Sequence, residues 1–204
     1  MLIAFMGLPS AGKSSTAQAM GKLLNAQSFL EPEEEKWPQL VKDRELVGPF
    51  TALTWFRSAR VPNLFSAAAI RDKGQIAIVD SYYDKLISLY IENDCFSWLL
   101  PKSDPYFGLA LNMAKLDYRQ LPNADVLVFL RLSEATWQKF MVHRGREFDV
   151  SAELAKNFEM QAHFERAART ASEELGMQLH IVDQTWSSPE ETARRVVDKL
   201  QPQS

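Results

Sequence analysis

The stretch Leu2-Ile3-Ala4-Phe5-Met6-Gly7-Leu8-Pro9-Ser10-Ala11-Gly12-Lys13-Ser14-Ser15 constrains this chain more than any other part of it. An apolar run of strand length passes into Gly-x-x-x-x-Gly-Lys-Ser, and Ala17, Met20, Leu23 and Leu24 then recur at helical spacing. The order is therefore strand, phosphate loop, helix. Gly7 and Gly12 let the loop turn its backbone N–H groups inward around an anion, and the following helix presents its positive N-terminus to the same point. Lys13 can reach the terminal phosphates and the Ser14 hydroxyl can ligate Mg²⁺. Residues Gly7, Leu8, Pro9, Ser10, Ala11, Gly12, Lys13, Ser14 and Ser15 are thus expected to hold a nucleoside triphosphate.

With 204 residues and 46% hydrophobic content, the chain can bury a full core as one domain spanning residues 1–204. A formal charge of −3 offers no broad basic surface for a polynucleotide. A small anionic ligand held by a local cluster fits better. The one cysteine, Cys95, cannot form an internal disulfide and reads as a packing residue. Its isolation and the absence of a signal-like N-terminus suit the cytoplasm, and no apolar run approaches the ~20 residues that span a bilayer. His143, His163 and His180 lack metal-ligand spacing and read as packing or surface residues, so zinc is not expected.

Gln27 to Leu30 reads as a short second strand ending in the acidic stretch Glu31-Pro32-Glu33-Glu34-Glu35-Lys36-Trp37. Ligands of open parallel sheets lie at that strand edge, so at least one of these acids is expected to face the site; Glu34 and Glu35 read as solvated charge. Residues 49–71 carry an apolar pattern with Arg57 and Arg60 between, which suits a helix bent or broken around Pro62. Gly74 to Asp80 is a buried parallel strand that delivers Asp80 to the same edge as the phosphate loop, the usual place for a second Mg²⁺ anchor. Tyr82 to Ile91 reads as a helix. Asp104-Pro105 opens another, with Leu109, Met113 and Leu116 on its apolar face. Ala124 to Arg131 is a fourth strand, followed by a helix over 133–142 and a long amphipathic helix over about 151–175 that buries Leu154, Phe158 and Phe164. Leu179 to Asp183 is the fifth strand, and Ser188-Pro189-Glu190-Glu191 is a capping box opening the last helix. Repeated strand-then-helix units give an α/β class: a three-layer α/β/α phosphate-loop NTPase fold with a parallel sheet of about five strands.

Four of these stretches, in this order, resemble the deoxynucleoside kinase family, the deoxycytidine, deoxyguanosine and thymidine-type kinases related to thymidylate kinase. The phosphate loop is the first. Glu31-Pro32 with Trp37 is similar to the family's Glu-Pro-x-x-x-Trp, whose Glu is the general base toward the nucleoside 5′-hydroxyl. Asp80-Ser81 is similar to the Asp/Glu-Arg-Ser motif closing the third strand. Arg144-Gly145-Arg146 with Asp149 is similar to a helical lid, here residues 143–150, whose arginines hold the donor phosphates. Three departures stand out. Trp37 lies one residue farther from Glu31 than in the family, which leaves Glu33 as a substitute base. No arginine separates Asp80 from Ser81, so Arg57 or Arg60 would have to supply that cation. The family's base-reading Gln is not evident in Phe50-Thr51-Ala52-Leu53-Thr54-Trp55-Phe56.

The expected activity is transfer of the γ-phosphoryl group of ATP to a hydroxyl of a small acceptor, foremost the 5′-hydroxyl of a (deoxy)nucleoside. Lys13, Arg144 and Arg146 would neutralise the phosphoryl oxygens, Ser14 and Asp80 would hold Mg²⁺, and Glu31 would accept the hydroxyl proton. Trp55, Arg57, Arg60 and Asp149 join Glu31 as candidate acceptor contacts, and Phe56 is a second stacking candidate. A thymidylate-type monophosphate kinase and another small-molecule kinase are the near alternatives; an ATP-binding regulatory module without catalysis is the alternative of another class. The resemblance suggests a homodimer through helices 49–71 and 83–92.

Overall fold

The computed structural model describes residues 1–144 and 158–200. Along the chain these form β1 (Leu2–Gly7), α1 (Lys13–Leu24), β2 (Gln27–Phe29), two short helices α2 (Gln39–Lys42) and α3 (Arg44–Val47), and the long α4 (Pro49–Asp72). There follow β3 (Ala77–Val79), α5 (Tyr83–Leu86), α6 (Phe107–Gln120), β4 (Val126–Arg131), α7 (Glu134–Arg144), α8 (Met160–Leu175), β5 (Gln178–Asp183) and α9 (Pro189–Leu200). The five strands make one parallel sheet in the order β2-β3-β1-β4-β5. All six residues of β1 are buried, as a strand covered on both faces requires. Helices α1 and α9 pack together over the sheet, while α4 and α8 cover it elsewhere and are joined through α5.

Because β1 is the middle strand, the chain crosses to β3 on one side of it and to β4 on the other. Such a switch point opens a crevice at the carboxyl ends of the strands. The phosphate loop leaves β1 at that crevice. Glu31 and Asp80 arrive there from the β2 and β3 side, and Gln184 and Trp186 from the β5 side.

Three helices differ from the sequence expectation. Helix α4 runs through Pro62 without a break. Proline removes the bond to the Ser58 carbonyl, but both residues are solvent-exposed, so water can take that carbonyl while Leu53, Leu64, Ala67 and Ala68 hold the buried side. The helix expected over 82–91 is instead α5 followed by a 3₁₀ turn at Ile87–Leu89. Leu86, Ile87, Tyr90 and Ile91 are all buried, and a tighter turn points them into the core from both sides. Helix α6 begins at Phe107, two residues beyond Pro105, and faces inward with Ala110, Ala114 and Asp117, leaving Leu109 and Leu116 exposed. The small alanines permit close approach, and Asp117 turns inward to meet Arg57 in a two-pronged ion pair at 2.6 and 2.7 Å. The helix expected over 151–175 is described from Met160 on, with Phe164 buried and Phe158 packed against the core; Leu154 lies outside the described residues. The Ser188 capping box forms as expected, Glu191 N–H donating to Ser188 Oγ at 3.2 Å and Ser188 N–H to Glu191 Oε2 at 3.0 Å. No described helix is long and apolar enough to cross a membrane. Burial pushes the Cys95 thiol up to about 11, in keeping with a packing role.

Candidate active site

The phosphate loop is shaped by backbone that only certain residues tolerate. Gly7 has φ 147°, and a Cβ there would stand 2.7 Å from the Leu130 carbonyl oxygen of the adjacent strand. Gly12 is left-handed at φ 79° and caps α1, where Thr16 N–H donates to its carbonyl at 2.9 Å. Lys13, the first residue of α1, is buried and turns its Nζ back to the Leu8 carbonyl at 2.8 Å and the Gly7 carbonyl at 3.3 Å. Two aromatic residues brace the loop from outside. Tyr83 donates its hydroxyl to the Gly7 carbonyl at 2.6 Å, with its ring 5.0 Å from Lys13 Nζ, and Trp137 Nε1 donates to the Pro9 carbonyl at 2.8 Å. The Thr16 hydroxyl is buried at the loop's edge and has no hydrogen-bond partner among the described residues. A phosphate oxygen seated in the loop would supply one.

Beside the loop stands a cluster of charges from three segments. Asp80, buried just past β3, accepts the Glu31 backbone N–H at 3.0 and 3.2 Å and the Ser14 hydroxyl. Burial, with the nearby charge of Glu31, pushes the Asp80 carboxyl up to about 6. The Glu31 carboxylate meets Arg60 at 2.9 Å; burial opposes its ionisation, but the Arg60 charge and hydrogen bond, with Lys13, hold it below the usual carboxylate range. Arg60 is shared, its Nε and Nη2 reaching Asp84 at 2.6 and 3.1 Å. Two carboxylates around one guanidinium fix the direction of both.

Among the described residues no three His, Cys, Asp or Glu side chains cluster to hold a metal by themselves. Asp80 and Ser14 fit a different demand: a hard oxygen pair, already in mutual contact beside the phosphate loop, suits a Mg²⁺ ion that takes its other ligands from phosphates and water. A buried carboxyl with a raised pKa is also the group that a bound cation would relieve.

One cavity of about 460 Å³ joins these parts. On the β2 and β3 side it is lined by Glu31, Glu33 and Arg60 together with aromatic residues that include Phe56, Tyr90, Phe96 and Phe164, the Arg60 guanidinium standing 5.5 Å from the centre of the Phe56 ring. On the β5 side it reaches Gln184 and Trp186, with Trp186 half exposed and standing 4.9 Å from Phe140 and 5.4 Å from His143 between ring centroids. Glu34 and Glu35 do not line it.

Of the acceptor candidates, Glu31 and Arg60 come together in the cavity. Arg57 does not: it is turned to Asp117 and locks α4 to α6. Trp55 also stands outside the lining, edge-on to Phe56 at 5.0 Å, while Phe56 faces in and is met by Trp37 at 4.9 Å. The backbone of Arg144 ends α7; Gly145, Arg146 and Asp149, and with them most of the 143–150 lid, lie outside the described residues. Sequence reasoning did not single out Tyr83, Trp137, Asp84 or Trp186. Tyr83 and Asp84 follow closely on Asp80, and Trp186 follows closely on β5, so proximity to a strand's carboxyl end was a usable signal. Trp137, in mid-helix, carried none.

No protein-family model and no curated protein sequence matches this chain. Solved structures do. It is similar to deoxyadenosine kinase from M. mycoides with the products dCMP and a flexible dCDP bound, at TM-score 0.72 and 22% identity over 98% of each chain. The same kinase with bound dATP gives 0.71 and 20% identity, over 98% of this chain and 99% of that one. Thymidylate kinase from Ehrlichia chaffeensis gives 0.59 and 13% identity over 98% of each. The fold of this chain is that of the phosphate-loop deoxynucleoside and thymidylate kinases.

Proposed function

We propose that this protein transfers the γ-phosphoryl group of ATP to a hydroxyl of a small acceptor, the 5′-hydroxyl of a (deoxy)nucleoside. The observation that carries the reading is that one cavity is lined by the phosphate loop, by Glu31 and Arg60 and by a set of aromatic rings. It would place a donor's terminal phosphate, a carboxylate and a flat acceptor in line. The solved structures of similar fold include a deoxyadenosine kinase, which supports the same acceptor class.

In this reading the loop N–H groups and Lys13 orient the phosphates, and Lys13 leaves its two carbonyls to reach them. Ser14 and Asp80 would hold Mg²⁺, which supplies charge neutralisation between the phosphate oxygens. Glu31, kept ionised and aimed by Arg60, accepts the hydroxyl proton as the new O–P bond forms and the bond to ADP breaks. Arg60 is the cation that stands in for the arginine missing after Asp80. Arg144 and Arg146 would close over the donor, and Asp149 would join them against the bound substrates. ATP should then protect the Arg144–Asp149 segment from trypsin; equal cleavage with and without ATP would make it an ordinary loop. Trp186 and Phe140 offer ring faces on the β5 side for the donor base.

The deciding experiment is a panel of ribo- and deoxynucleosides and their monophosphates incubated with ATP and Mg²⁺ and read by mass spectrometry. Transfer to nucleosides supports the proposal, transfer to monophosphates moves it to the thymidylate type, and ATP binding by calorimetry with no transfer makes the chain a regulatory binder. The cytoplasm is the location that a single buried thiol suits. Of the two segments that the resemblance suggests for a homodimer, α4 presents a half-exposed Phe65, whereas the 83–92 segment is spent largely on the core.

A further inference from the structure

Gln184 stands where a side-chain amide cannot turn over. It follows β5 directly, and its backbone N–H donates to the Arg131 carbonyl at 2.7 Å, which carries the pairing of β4 with β5 past the end of the strand. Behind it, α9 takes the side-chain oxygen: the Thr192 hydroxyl donates to Gln184 Oε1 at 2.8 Å and Arg195 Nη2 at 3.2 Å. Arg195 is itself held by the Asp183 carbonyl at 2.8 Å and the Ser187 hydroxyl at 2.9 Å, and Thr192 is fully buried. A guanidinium has no acceptor, so the oxygen of this amide, never its nitrogen, must face Arg195.

The nitrogen is thereby turned toward the phosphate loop. Gln184 Nε2 comes within 3.3 Å of where a Cβ on Gly12 would stand, and the residue lines the cavity with Gly12 although only 4% of it is exposed. Among the described residues, the hydrogen bonds of this side chain are made by Oε1 alone. A buried amide held with its N–H groups toward a cavity favours a ligand atom that accepts from it. Trp186, which follows closely on Gln184, lines the same cavity and sets its half-exposed ring 4.9 Å from that of Phe140. Such rings take the face of a heteroaromatic base, whose edge carries ring-nitrogen and carbonyl acceptors. A face-binding ring and an edge-binding donor thus come from one short stretch of chain.

We infer that the Gln184 amide donates a hydrogen bond to the base of the nucleoside triphosphate and so holds the phosphoryl donor against the loop. The inference rests on the proposed kinase reading and adds to it a donor-binding residue outside the phosphate loop. Gln184→Glu isolates the contact. Both partners of Oε1 are donors, so a carboxylate satisfies Thr192 and Arg195 as the amide does, and only the N–H groups toward the cavity are lost. A Gln184 that merely ties α9 to β5 predicts parent-like nucleotide binding in Q184E. A Gln184 that touches the base predicts a Tm at or above the parent's with ADP bound about tenfold or more weakly.

Calorimetry measures ADP and inorganic tripolyphosphate, each with Mg²⁺, on the parent and Q184E in ~1 M NaCl, where screening within about 3 Å confines the new charge to what it touches. ADP weakened about tenfold or more, with tripolyphosphate treated alike by the two proteins, supports the inference. Equal ADP binding overturns it and leaves the proposed function standing. Tripolyphosphate weakened as much as ADP also overturns it, because the amide would then serve the phosphates. A parent that binds no ADP overturns both. Gln184→Met keeps the length of the side chain and drops both polar ends; it should lower Tm and weaken ADP by a similar factor, and it carries the same comparison if Q184E does not fold. Once the acceptor is known, Q184E should raise the KM for ATP and leave the acceptor KM unchanged, whereas the reverse split refutes the assignment.

Discussion

The two ends of the cavity are built in different ways. At the phosphate end the contacts belong to backbone: loop N–H groups, glycines with φ of 147° and 79°, and the first turn of α1. At the acceptor end they belong to side chains collected from residues 37, 53, 56, 83, 98 and 164, which meet only once the sheet has formed. Phosphate is the same ligand in every nucleotide, and a backbone cradle serves it regardless of what else the chain binds. An acceptor differs from enzyme to enzyme, and the wall that meets it can change residue by residue without disturbing the loop. On the proposed reading, reaction type would reside in one end and selectivity in the other.

The largest test of that division is Lys13→Ala. It should reduce turnover by ~10³ or more while circular dichroism shows an intact fold, since its hydrogen bonds to the Gly7 and Leu8 carbonyls lie within the loop itself. Unchanged turnover in a folded variant would end the kinase reading. Glu31→Gln comes next. It should bind ATP and Mg²⁺ as the parent does yet turn over about a hundredfold more slowly, with Glu34→Gln and Glu35→Gln near normal; parent-like rates in all three would return the acidic stretch to the surface.

Arg57→Ala separates wall from frame. It leaves Asp117 buried without its partner, so urea unfolding should show a loss of about 1–3 kcal/mol, discounted because Arg57 is partly exposed, while the acceptor KM stays put. A raised KM with unchanged stability would put Arg57 in the site after all.

The smallest effect concerns pH. Asp80 titrates near 6 in the folded protein and nearer 4 when unfolded, so the folded state binds the extra proton between those values and loses stability from this group as pH rises through them. A divalent cation between Ser14 and Asp80 needs the carboxylate and reverses that loss. Mg²⁺ with ADP should therefore raise Tm more above pH ~7 than at pH ~5, and Asp80→Asn should flatten the difference. A pH-independent Mg²⁺ shift in the parent would place the ion elsewhere.

The sequence revealed the phosphate end almost completely, because a loop that must take positive φ and approach a neighbouring strand closely admits few residues at fixed spacing. Asp80 was legible for a related reason, since it follows an apolar run that can only be a buried parallel strand, and Glu31 because it opens an acidic stretch at the carboxyl end of the short edge strand β2. The acceptor wall was not. Trp55 and Arg57 look as promising as Phe56 and Arg60 along the chain, and only the rotation of α4 decides between them. The buried side of α4 is held by Ala52, Leu53, Leu64, Ala67 and Ala68, and Arg57 finds a buried partner in Asp117, some sixty residues away. Likewise Leu109 and Leu116 read as core until Ala110, Ala114 and Asp117 take the inward side of α6.

Lys13 is held by the carbonyls of Gly7 and Leu8. On the proposed reading, the arrival of a triphosphate would therefore be an exchange of partners: two carbonyls surrendered and phosphate oxygens taken. The same carbonyls would stand ready to receive the ammonium again when the diphosphate departs. Grip on the nucleotide would thereby be moderated at the point of strongest attraction.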